Sequence, residues 1–125
     1  MAAVMAALDA ACTAAVYEYD EVPGSNHRAG TEPEQYLVVS VERRFNSQLR
    51  SVARTGRTGW RVAVRSTAKN IEDVERGLAQ ASAALNEQRL TVDAGTTTPV
   101  QFEAAEAASW DEPRYTAVAT YTYAH

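Results

Sequence analysis

Apolar residues recur along this chain with two different periods, and the switches between them mark the elements. Residues 2 to 15 are rich in alanine, and Val4, Met5, Leu8, Cys12 and Val16 fall along one stripe at helical spacing, which predicts a first amphipathic helix. From Val16 the period drops to two. "VYEYDEV" (16–22) alternates aromatic and acidic residues as a strand does. "PGSNHRAGTEPE" (23–34) breaks the alternation with two Pro and two Gly and reads as a loop. In "QYLVVSVERR" (35–44) the alternation returns, with Leu37, Val39 and Val41 facing one way and Tyr36, Val38, Ser40 and Glu42 the other. It lapses again over "FNSQLRSVARTGRTG" (45–59), then resumes in "WRVAVRSTA" (60–68), where Trp60, Val62 and Val64 oppose Arg61, Ala63 and Arg65.

The strongest helical pattern lies at 70–87. Ile71, Val74, Leu78, Ala81 and Leu85 recur at steps of three and four, Asn70 is a good N-cap, and Asp73 stands where a capping box places its reciprocal acid. Glu72 and Glu75 add negative charge near the positive end of the helix dipole. Gly77 sacrifices about 1 kcal/mol of helix propensity relative to Ala, so something must pack closely against it. Three strand patterns close the chain: "RLTVD" (89–93), "PVQFEAA" (99–105) and "RYTAVATYTYA" (114–124), separated by the turn-like "AGTTT" and "EAASWDEP". The order α-β-β-β-α-β-β-β predicts an α+β fold: a mostly antiparallel sheet, two main helices packed on one face, and long projecting loops. The chain of 125 residues is the length of one domain, 1–125.

Charge changes this picture. Residues 43–65 hold seven of the twelve Lys and Arg residues, all of them Arg, and no acid. The rest of the chain sets five basic residues against sixteen acids. A net charge of −4 is wrong for a protein that coats nucleic acid, whose affinity rests on net phosphate neutralisation. The local asymmetry still invites two readings. One is a basic-loop nucleic-acid-binding α+β module. Single-strand binding, however, wants aromatics interleaved with the cations, and only Phe45 and Trp60 flank this segment, with Trp60 patterned as core. The other reading is a protein interface, where the planar guanidinium pairs bidentately with carboxylates and tolerates partial burial better than Lys. Copies of the chain would then meet basic loop against acidic flank, a heterologous contact that closes into a ring. The candidate partner-binding residues are Arg43, Arg44, Arg50, Arg54 and Arg57.

Candidate catalytic chemistry is thin. No P-loop or G-x-G-x-x-G spacing occurs, and His27, His125 and the single Cys12 make no zinc cluster. Cys12 sits in the apolar stripe and reads as a small hydrophobe rather than a nucleophile paired with His27. Glu18 and Asp20 share a strand face, as acids on solvated strands routinely do. A single cysteine excludes an internal disulfide, and no run is long enough to span a bilayer. The N-terminus lacks a basic n-region and carries Asp9, so it reads as structure rather than a signal peptide. The residues thus predict no catalytic site, metal or cofactor, and an enzyme remains only if a site assembles between subunits.

The succession of an Ala-rich helix, "YLVVSVERR", a basic Gly-containing stretch leading into "WRVAVRSTAKN", the helix "IEDVERGLAQASAALN", "RLTV", and "VQFEAAEAASWDEPRYTAVATYTY" resembles the tail terminator proteins of long-tailed, non-contractile (siphovirus) bacteriophages. The resemblance covers nearly the whole chain and lies in size, element order and texture. It implies a structural virion protein: a homohexameric ring that caps the tail tube protein, stops its polymerisation and offers the surface joining the head-tail connector or stopper protein. DNA would pass through the ring without sequence-specific binding. The resemblance implies no membrane and no cofactor, and a place in the virion tail at the head-tail interface after assembly in the host cytoplasm. Other neck and minor tail proteins share this build. The family has no site motif whose residue roles carry over to this sequence.

Overall fold

The structure is a computed structural model in which residues 2–12, 15–18, 35–43, 59–92, 95–111 and 114–124 are described. The elements run α1 (Ala2–Ala11), β1 (Ala15–Glu18), β2 (Gln35–Arg43), β3 (Gly59–Ala68), α2 (Ile71–Leu85), β4 (Thr91–Val92), β5 (Gly95–Thr96), β6 (Gln101–Ala105), β7 (Ser109–Asp111) and β8 (Arg114–Ala124). The main sheet has the order β1-β2-β3-β8-β6, and β7 lies beside β8 further along the same edge. All its pairings are antiparallel except β1 with β2. The short β4–β5 pair stands apart as a hairpin. This is the α+β order that the patterning predicts.

The period-two alternation decides which face is buried. In register, Leu37, Val39 and Val41 of β2 lie beside Ser66, Val64 and Val62 of β3, which lie beside Ala117, Ala119 and Tyr121 of β8. Both helices cover this face. Val4 and Leu8 of α1 and Ala81 and Leu85 of α2 join Leu37, Val39, Val62, Val64 and Tyr121 in one buried cluster. Each such Val or Leu contributes about 1.5–3 kcal/mol through burial. Cys12 and Val16 pack on the rim of the cluster, so the sequence stripe is real. The helix nevertheless ends at Ala11, short of the expected 15. Pairing of Ala15 with Tyr36 and Val16 with Leu37 takes these residues into β1, and cross-strand bonding overrides alanine's helical preference.

The second helix begins where its cap predicts. Asn70 has extended backbone geometry, and its Oδ1 accepts the Asp73 N–H at 2.9 Å. Its Nδ2 donates to Asp73 Oδ2 at 3.0 Å, so the box closes between side chains rather than onto the cap's own N–H. Asn70→Ala is expected to lower stability by about 1 kcal/mol, read as a shift in the denaturation midpoint. Val74, Ala81 and Leu85 are buried as the period requires. Ile71 is not: it is 42% exposed. Being the first helical residue, it sits at the end of the stripe, where the sheet beneath no longer covers it. Gly77 meets its expectation. A Cβ there would stand 2.5 Å from Ser66 Oγ and 3.1 Å from Leu37 Cδ2.

Tyr121 is buried on β8, and burial pushes its hydroxyl above the ordinary tyrosine pKa, with a bond to the Ser82 side chain opposing in part. Burial raises Tyr123 likewise. The folded state therefore holds these protons more tightly than the unfolded chain. The stability this confers is present below the ordinary value of about 10 and is lost as pH rises from there through the folded-state values. Melting temperature is expected to fall across that alkaline window, and Tyr121→Phe should flatten the fall.

Candidate functional site

Of the five arginines singled out from the sequence, the structure places one. Arg43 is the last residue of β2, exposed, and opposite Trp60 of β3. Arg44, Arg50, Arg54 and Arg57 lie outside the described residues, as do His27, Asp20 and His125. What the structure does fix is the root of the basic segment. Arg43 and Gly59 end and begin neighbouring antiparallel strands, so residues 44–58 leave and re-enter the sheet at one end. Trp60 is half-buried rather than core, because it is the second residue of its strand and stands at this rim.

The connection from β1 to β2 is constrained differently by the strands it joins. β1 and β2 are parallel, so the chain after Glu18 must return to the opposite end of the sheet to begin β2 at Gln35. A parallel pair needs a crossover of a dozen residues or more, which is a physical reason for a connection of this length. The two segments therefore join β2 at opposite ends, Gln35 for one and Arg43 for the other.

The two arginines within β3 divide. Arg61 is held across the strands: Nη1 lies 3.5 Å from Glu42 Oε1 on β2, and Nη2 lies 3.4 Å from Glu103 Oε2 on β6. Its Nε approaches Glu103 Oε1 at 3.0 Å as an ion pair, without the alignment of a hydrogen bond. Thr120 of β8, between β3 and β6, donates to Glu103 Oε1 at 3.2 Å. With Arg61 and Glu103 about a third exposed and Glu42 about two-thirds exposed, the group contributes on the order of 1 kcal/mol at most. Its larger effect is to neutralise Arg61 internally. Arg65 is exposed at mid-strand, in register with Val38 and Val118. The same face, opposite the helices, carries a small apolar cluster of the buried Tyr36 and Val38 with the half-buried Tyr17, and the Arg114 guanidinium lies 5.7 Å from the Tyr36 ring centre.

Sequence reading missed two side chains. Phe102 on β6 and Trp110 on β7 are 51% and 55% exposed. "EAASWDEP" reads as a turn, yet Ser109–Asp111 pairs with β8 as a strand. Three residues are too few to show a period, so only the pairing with β8 reveals the strand. Cys12 is half-buried against the core, and burial, reinforced by Asp9, pushes its thiol up. That shift disfavours the thiolate a nucleophile needs and fits the packing role. Among the described residues no three His, Cys, Asp or Glu side chains gather as a metal site would require, and no helix is long and apolar enough to cross a membrane.

No family model matches the sequence, and no curated protein is similar to it at a significant level. In three dimensions the chain is similar to a chain of the virion of a native gene transfer agent particle. The TM-score is 0.62 at 16% identity, over 98% of this chain and 92% of that one. The likeness is one of fold.

Proposed function

We propose that this chain is a structural virion protein that caps a tail tube as a homohexameric ring. The ring stops tube polymerisation and presents the surface on which the head-tail connector docks. The observation that carries the reading is the near end-to-end fold likeness to a virion chain, in a protein whose element order already resembles tail terminators. The arginine segment supplies the mechanism. A rigid sheet backed by two helices holds residues 44–58 at one end, and Arg43, Arg44, Arg50, Arg54 and Arg57 anchor the acidic surface of the next subunit or of the tube. Five guanidinium groups and no lysine suit that task, because each makes fork-like pairs with carboxylates that an ammonium cannot. The contact is heterologous, so repeating it closes a ring around a bore through which DNA passes unread. No bond is made or broken.

The test is polymerisation of the particle's tube subunits followed by light scattering. Added protein is expected to halt growth at a plateau, and unchecked growth contradicts the reading. A gel shift on DNA at two salt concentrations addresses the competing module. That module requires binding that weakens steeply as salt rises, whereas a ring that lets DNA pass shows none of that affinity.

A further inference from the structure

We infer that the sheet edge formed by β6 and β7 is the receiving surface for the arginine segment of a neighbouring copy, an assignment that rests on the ring reading above. This edge is the far side of the sheet from β1 and runs along β8 from Gln101 to Asp111. Residues 101–107 are all exposed, and the edge holds two of the three exposed large hydrophobic side chains among the described residues. Both are fixed in place. Phe102 stands edge-on to Tyr121 at 5.8 Å, and Trp110 edge-on to Tyr115 at 4.9 Å, each leaving about half its surface uncovered.

The edge is built against extension of the sheet. Its register shifts between Phe102 and Ala104, the Phe102 N–H is taken by Asn86 Oδ1 at 3.2 Å, and the strand breaks between Ala105 and Ser109. Bulges and broken edges discourage an added strand, so an occupant must be held by side chains. The charges say which. Along the edge, residues 101–111 carry Glu103, Glu106 and Asp111 and no base, whereas residues 43–57 carry five Arg and no acid. Two such edges repel each other, which rejects a symmetric pairing. Carboxylates interleaved with aromatic faces are what guanidinium groups bind best, by bidentate pairing and by stacking. Glu103 is already committed to Arg61, so the exposed Glu106 takes the incoming charge.

Two variants used separately and together decide the matter. Glu106→Arg reverses charge on the edge, and Arg50→Glu with Arg54→Glu reverses the segment. Each alone is expected to weaken tube capping by about 100-fold or more while keeping the wild-type melting temperature. An equal mixture is expected to recover capping to within about tenfold of wild type, because alternating the two chains sets opposite charges at every contact. A segment folded back on its own edge would gain nothing from mixing, so an inactive mixture overturns the inference. Full activity of the edge variant alone overturns it too, while wild-type capping leaves the ring reading standing. Failure of the wild-type protein to cap removes that reading and the receiving edge with it. Trp110→Ser, which removes exposed aromatic surface without changing charge, is expected to weaken capping about tenfold. Unchanged capping by that variant counts against the edge.

Discussion

Replacing Arg50, Arg54 and Arg57 together by Glu is expected to leave a folded chain that no longer caps tubes. The substitutions fall between β2 and β3 and change none of the apolar side chains that build the buried cluster on the helix face, so melting temperature and secondary structure should match wild type. At the contact the effect is large. Reversal removes three attractive pairs and sets like charges against an acidic surface, and losing one partner of a desolvated pair alone costs about 2–5 kcal/mol. Capping should therefore fall by far more than 100-fold by this estimate, with tubes growing as though nothing were added. Lys at the same three positions separates geometry from charge. If the planar fork matters, the Lys variant keeps its charge yet loses about 1–2 kcal/mol of the contact. Normal capping by the Glu variant would remove the segment from the account.

The second large effect concerns stability and needs no partner. Gly77→Ala should gain about 1 kcal/mol of helix propensity on an exposed helix. Here the added methyl would stand 2.5 Å from Ser66 Oγ, with Leu37 Cδ2 at 3.1 Å behind it. Overpacking of this kind costs about 1–3 kcal/mol, so the substitution is expected to destabilise by roughly 1 kcal/mol net. Ser66 makes a second prediction possible. Its hydroxyl is buried with no hydrogen-bond partner among the described residues, so Ser66→Ala should stabilise by about 1 kcal/mol. With that oxygen gone the tightest neighbour of the methyl at position 77 is Leu37 Cδ2 at 3.1 Å, a side-chain tip that has only to shift slightly, and the pair Ser66→Ala with Gly77→Ala should exceed wild type. The cycle, measured by denaturant unfolding, should show a coupling of about 1–2 kcal/mol. Additive effects would mean that the helix and sheet do not meet where Gly77 and Ser66 place them.

The sequence legibly encoded whatever depends on neighbours close in the chain. Alternation in 35–44, 60–68 and 114–124 assigned three long strands within a residue of their observed ends, and Asn70 with Asp73 marked the start of the second helix, which ends at Leu85 rather than 87. Gly77 announced a close approach without naming Ser66, because that partner comes from another element. Features set by distant pairing were hidden. The parallel β1 shortens the first helix, and β7 exists because β8 offers it bonds. Ile71 and Trp60 fit the apolar pattern yet stand at element ends, where period is kept and cover is lost. At the candidate site the charge contrast was readable from composition. The position of its acidic counterpart was not, since Phe102 and Trp110 become one edge only when both strands line up along β8.

Electron microscopy of tubes grown with the purified protein tests the central claim most directly. The account predicts tubes of bounded length bearing a ring of density at one end, with six copies in averaged views down the tube axis. Bare tube ends and unbounded lengths, with the protein remaining as single particles in the background, would contradict it.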